Sequence, residues 1–125
     1  MQIFKKTEVL KNKKLIESLF RNGSIIETVS LKFIWELQGS SQDKDLLKTL
    51  ISIPKRNIRL SSKRNMMKRK VRELLRKKEE ILIKKLEISK KKINLAIIYK
   101  ERETCSYKVL DEKITLLLST LIKNI

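Results

Sequence analysis

Residues 51–76 read ISIPKRNIRLSSKRNMMKRKVRELLR, and three local characters follow one another along them. The opening residues close an apolar, β-branched run, LLKTLISIP over 46–54. Pro54 cannot donate to a sheet ladder, so a strand ends there. Residues 55–61, KRNIRLS, form a basic loop. Ser61 or Ser62 then offers an oxygen to cap a helix. Beyond the caps Met67, Val71, Leu74 and Leu75 recur at helical spacing. The pattern predicts a helix over about 62–86, longer than most, with a break or fray near Lys77-Lys78-Glu79-Glu80.

Working outward, residues 8–22 place Leu10, Leu15, Ile16, Leu19 and Phe20 near one helical face, with Asn22-Gly23 as C-cap. This predicts a first helix over about 10–21. In TVSLKFIWEL, 28–37, Val29, Leu31, Phe33 and Trp35 alternate with Ser30, Lys32, Ile34 and Glu36, which is a strand pattern. SIIE just before it suits a short extra strand, and QGSSQDKD at 38–45 is a turn by composition. The strands over 28–37 and 46–54 are expected to form an antiparallel hairpin with a long loop. INLAIIYK, 93–100, is apolar on both faces and reads as a central strand. Residues 107–123 give a final amphipathic helix that buries Leu110, Ile114, Leu117, Leu118 and Leu121. The expected architecture is a single α+β domain over 1–125, a sheet with helices mostly on one face.

Composition limits what such a domain does. The 125 residues include 31 basic and 14 acidic ones, a net charge of +17. That excess costs self-repulsion and suits a polyanionic partner. There is no histidine, so neither a His-based triad nor an imidazole metal site can be built. Cys105 is the single cysteine, which excludes an internal disulfide and fits a reducing compartment. With only Gly23 and Gly39, no Walker loop or dinucleotide fingerprint is present. No apolar run reaches membrane-spanning length, and residues 1–14 lack the apolar stretch of a signal peptide. A cytoplasmic protein with no membrane association is expected.

On a helical wheel at 100° per residue, the four apolar positions share a sector about 100° wide. Asn65, Arg69, Arg72 and Arg76 share a second sector about 60° wide, with Lys68 between the two and Arg64 at the near edge of the apolar sector. From Lys55 to Lys78 there are twelve basic residues and one acid, Glu73. Arg64, Lys68, Arg72 and Arg76 are successive i+4 neighbours of one sign, and each such pair costs a few tenths of a kcal/mol. An ordinary solvated face intersperses signs. Phosphates would remove the penalty and release counterions, and arginine suits bidentate phosphate contact. Asn65 can donate and accept toward a sugar or base edge. A helix-turn-helix DNA reader needs a second helix before the basic one, where this chain has a strand. A membrane-surface helix would carry Trp or Phe on its apolar face. A general RNA-binding or ribosomal protein remains the main alternative to the reading that follows.

The same stretch resembles the signature of the bacterial ribonuclease P protein subunit. Arg64, Asn65, Lys68, Arg69, Arg72 and Glu73 match in register, while Met66 replaces a usual basic residue. LKNKKLIESLFRNGS at 10–24 is similar to the family's first helix, with Ile16 where many members have Phe. KFIWEL at 32–37 resembles its aromatic strand, with Trp35 at a usual Tyr position. The resemblance implies a four-stranded α-β sandwich in the order αβββαβα with a left-handed β-α-β crossover. It implies a protein cofactor of a ribozyme that removes the 5′ leader from precursor tRNA, with magnesium bound by the catalytic RNA and no further protein partner. It places catalytic-RNA contact on Arg64, Asn65, Lys68, Arg69 and Arg72, with Lys63 and Arg76 alongside and Lys55, Arg56 and Asn57 in the preceding loop. It also makes Ile16, Phe20 and Trp35 candidates for a cleft holding the unpaired leader, plain core packing being the competing role for all three. No catalytic or metal-ligating residue is expected in the protein itself.

Overall fold

A computed structural model describes residues 7–39 and 46–125. Its elements are β1 (Thr7–Val9), α1 (Lys13–Asn22), β2 (Ser24–Glu27), β3 (Leu31–Gly39), β4 (Leu47–Ser52), α2 (Ser61–Lys78), α3 (Glu80–Ser89), β5 (Lys91–Tyr99) and α4 (Tyr107–Asn124). The expected order from α1 onward is present, with β1 added in front and the long helix divided at Glu79. The SIIE segment forms β2. Of the expected turn, Gln38 and Gly39 belong to β3, and 40–45 lie outside the described residues.

The sheet order is β1-β4-β5-β3-β2. The expected hairpin between the strands at 28–37 and 46–54 does not form. β5 lies between them, antiparallel to β3 (Trp35 opposite Leu95) and parallel to β4 (Thr49 opposite Leu95). The reason is burial. Ile93 to Ile97 of β5 are all buried, so this strand gains most from neighbours on both sides and helices on both faces. β4 must then return through α2 and α3 to pair with β5, and this parallel unit is the one to which the resemblance assigns the left-handed crossover. The short β1 covers the other edge of β4 in parallel, Glu8 opposite Lys48.

Alternation along the strands builds two unequal cores. Leu31, Phe33, Leu47, Ile93, Leu95, Ile97 and Tyr99 face one way, with partly buried Trp35, Leu37 and Ile51. Against them pack Met67, Val71, Leu74 and Leu75 of α2, Leu82 and Leu86 of α3, and the five expected residues of α4. Burying each of the four α2 side chains contributes up to about 2 kcal/mol, an upper bound against an extended chain. The opposite face carries a smaller cluster of Leu10, Leu19, Ile34 and Ala96, under α1 alone.

Two helix ends differ from expectation. Residue Leu60, rather than a serine, caps α2, and no side chain bonds the cap. Ser61 already has helical geometry, so the loop hands over to the helix one residue early. At α1, Asn12 accepts from the amides of Lys14 and Leu15, so the helix starts after Leu10. Gly23 does end α1, at an extended φ of −68°. Glycine is needed there for space: a Cβ would lie 2.4 Å from the Leu19 carbonyl oxygen and 2.7 Å from Ile34 Cγ2.

Candidate nucleic-acid interface

With Met67, Val71, Leu74 and Leu75 turned to the sheet, the wheel of α2 fixes its outer face. Asn65, Arg69, Arg72 and Arg76 are exposed in one row, Lys63 precedes them, and Arg64 and Lys68 are half-buried on the flank. Among the described residues, Lys63, Lys68, Arg69 and Arg72 meet no acidic partner. Acids gather at the other end of the helix. Glu73 reaches Lys77 at 3.4 Å, and Lys78 reaches Asp111 at 2.6 Å. The Lys78 ammonium bonds Asp111 and holds its carboxyl below the usual range. At the α2–α3 break, burial pushes the Glu79 carboxyl up to about 7, against a smaller opposite pull from Arg76. The helix therefore carries uncompensated charge along its first turns and compensated charge along its last.

The basic loop before α2 is held rigidly. Ile53 and Ile58 are buried, and the amides of Asn57 and Ile58 donate to the Pro54 carbonyl. Arg64 Nη1 donates to the carbonyls of Ile58 (2.9 Å) and Arg59 (2.7 Å). Asn57 Nδ2 donates to the Tyr99 carbonyl at 3.2 Å, tying the loop to the end of β5. Arg64 and Asn57, both expected to face RNA, thus spend polar groups on positioning the loop. Lys55 and Arg56 are left exposed on it.

This loop and the segment after β5 enclose a groove of about 680 Å³. Arg56, Arg59 and Lys63 line one side, Arg102 and Glu103 the other. Sequence reasoning missed Arg102, an isolated arginine in a polar segment with no period around it.

The three leader-cleft candidates do not converge. Ile16 packs half-buried against the smaller cluster, and Phe20 stands 47% exposed on the same helix. Trp35 lies on the opposite sheet face, against the large core, with its indole N–H buried and unpartnered among the described residues. Strand alternation compels this, since Ile34 occupies the α1 side. Trp35 therefore packs against the large core and does not share the α1 face with Ile16 and Phe20. Beside Ile34 on the α1 side, Glu36, Asn94 and Lys48 form a polar row across three strands. Ser18 of α1 donates to Glu36 at 3.2 Å.

Comparison with known proteins adds the following. The family model described as Ribonuclease P matches residues 4–121. No curated protein matches the sequence. Among solved structures, the chain is similar to the RNase P protein of Staphylococcus aureus, at 14% identity and TM-score 0.66, covering 94% of this chain and 95% of that one. It is similar to the RNase P protein of Thermotoga maritima at 17% identity and TM-score 0.65, covering 94% and 96%. At such identities the structures speak to the fold, which they share over nearly their whole length.

Proposed function

Because this chain belongs to the bacterial ribonuclease P protein family, we propose that it is the subunit that docks on the catalytic RNA through the outer face of α2 and assists removal of the 5′ leader from precursor tRNA. One observation carries the docking surface: among the described residues, Lys63, Lys68, Arg69 and Arg72 are cations without acidic partners, on a helix whose other face is locked into the core. Phosphates satisfy them and relieve the like-charge crowding at i+4. Asn65 and Arg76 extend the row, while Lys55 and Arg56 add charge from the loop. Asn57 and Arg64 hold that loop in place.

The chemistry is assigned to the RNA. Among the described residues no cluster of three or more Asp, Glu, Cys or His side chains offers a metal site. Magnesium enters with the RNA, and the α2 cations reduce the phosphate repulsion that magnesium otherwise screens. Precursor tRNA meets the protein at the α1 face, where the exposed ring of Phe20 can stack on an unpaired base beside Ile16. No described helix is long and apolar enough to cross a membrane, and the cytoplasm is the proposed location.

The test is cleavage of precursor tRNA by a bacterial ribonuclease P RNA at low millimolar magnesium, with and without the protein. Cleavage at the mature 5′ end that depends on the protein is the expected result. Binding to that RNA without any stimulation would replace this reading with a general RNA-binding one.

A further inference from the structure

The groove between the basic loop and the β5–α4 segment joins a wall already proposed to meet RNA, with Arg56 and Lys63, to one that lies outside the α2 stretch, with Arg102. Four cations converge on it, Arg56, Arg59, Lys63 and Arg102, against one acid, Glu103. None of the four is ion-paired among the described residues. Concentrating one sign in a concave site is unfavourable for the isolated fold, and low-dielectric walls focus the resulting field.

Both walls are fixed to a common post, the end of β5. Asn57 holds one through the Tyr99 carbonyl, and the Tyr99 hydroxyl holds the other by donating to the Glu103 carbonyl. Arg64 clamps the carbonyls of Ile58 and Arg59 from below. The backbone of both walls is therefore set in place, and a ligand entering the groove orders only the exposed side chains of Arg56, Arg59, Lys63 and Arg102.

Resting on the reading that the protein binds ribonuclease P RNA, we infer that this groove seats the sugar-phosphate backbone of an RNA strand and that Arg102 is a phosphate-contacting residue. At about 680 Å³ the space suits nucleotide units rather than a bare ion. Its donors are guanidinium and ammonium groups, and the Asn57 amide is already engaged, so it reads charge and not base identity. Lys63 belongs to both the groove and the start of α2. A strand lying along α2 therefore continues into the groove, which assigns the phosphate to the catalytic RNA.

The experiment measures affinity of the full-length protein for a bacterial ribonuclease P RNA across a series of salt concentrations. Wild type is compared with Arg102→Ala, Glu103→Gln and Lys91→Ala, the last an exposed cation at the opposite end of β5. Arg102→Ala should bind more weakly and flatten the log–log salt slope by about 0.7–0.9, the contribution of one phosphate contact. Removing the one acid by Glu103→Gln should tighten binding, and Lys91→Ala should leave the slope nearly unchanged. If Arg102→Ala behaves like Lys91→Ala with this RNA, yet weakens precursor-tRNA binding by the assembled complex, the phosphate belongs to the substrate. If neither measurement separates the two variants, the groove assignment is overturned while RNA binding stands. If wild type does not bind this RNA, the underlying reading fails first.

Discussion

Replacing Arg64 and Arg69 separately with alanine should split two roles that the sequence motif runs together. Arg64 donates to two backbone carbonyls, at 2.9 and 2.7 Å. Hydrogen bonds from charged donors contribute about 1.5–3 kcal/mol when shielded, and less when water competes. The bond to Ile58 is partly buried and the bond to Arg59 exposed. Taking about 1.5 for the first and 0.5 for the second gives roughly 2 kcal/mol. Losing one cation beside Lys68 returns a few tenths. Arg64→Ala should therefore lose about 1.5 kcal/mol, or roughly 5–8 °C in Tm at this chain length. Arg69 is exposed and has no partner among the described residues, so Arg69→Ala should stay within about 0.5 kcal/mol of wild type. Both variants should bind catalytic RNA more weakly, Arg69→Ala by losing a phosphate contact and Arg64→Ala by loosening the loop that carries Arg56 and Arg59. Thermal unfolding followed by circular dichroism, at about 0.1 M and again at 1 M salt, separates the hydrogen bonds from charge repulsion, since salt screens only the latter. Equal melting temperatures for the two variants at both salts would refute the positional role of Arg64.

Gly23→Ala should destabilise by about 1–3 kcal/mol through overpacking, because the new methyl meets a backbone oxygen and Ile34 rather than a yielding side-chain tip. Denaturant unfolding reads this directly, and an unchanged midpoint would show that α1 can lift from the sheet at no cost. Glu79→Gln should stabilise with rising pH. Its carboxyl is raised from 4.5 to about 7 in the fold, so its contribution is fully present below about pH 4.5 and lost as pH rises through 7. The group is half-exposed, and solvent screening reduces the raw linkage to about 1–2 kcal/mol. The gap in Tm between variant and wild type should widen from pH 5 to pH 8, and a constant gap would remove the burial argument.

What could be read from sequence followed the range of the interactions involved. The outer face of α2 was legible because i, i+4 spacing fixes both its buried and its charged rows within one helix. β5 was legible as central because its apolar residues fall on both faces. The pairing of β3 with β5 instead of β4 was not, since alternation says which face a residue occupies and nothing about which strand lies beside it. Trp35 was legible only as one of two roles: its phase with Leu31, Phe33 and Leu37 sets the face it shares with them, and only the packing of α2 and α4 shows that this face is the large core. The groove was illegible at Arg102, because its walls are brought together only by the parallel return of the chain to β5. β1 spans three residues, too short to carry a period.

The position of β5 also orders events during synthesis. When the ribosome has released residues up to Ser89, β3 has only β2 beside it and β4 only β1. The seat of α1 is incomplete, because Ala96 and Ile98 are not yet made. α2 is already present with its charge, and much of the strand surface and all of α4 that it packs against are missing. Emergence of β5 then joins both half-sheets and completes the seat of α1, and the larger core closes only when α4 follows. Folding is thus held back to the last third of the chain, and a nascent protein paused before Lys91 exposes a cationic helix on an unfinished scaffold. RNA is abundant where this happens, so the same row of arginines proposed for docking also makes the unfinished chain prone to premature nucleic-acid contact.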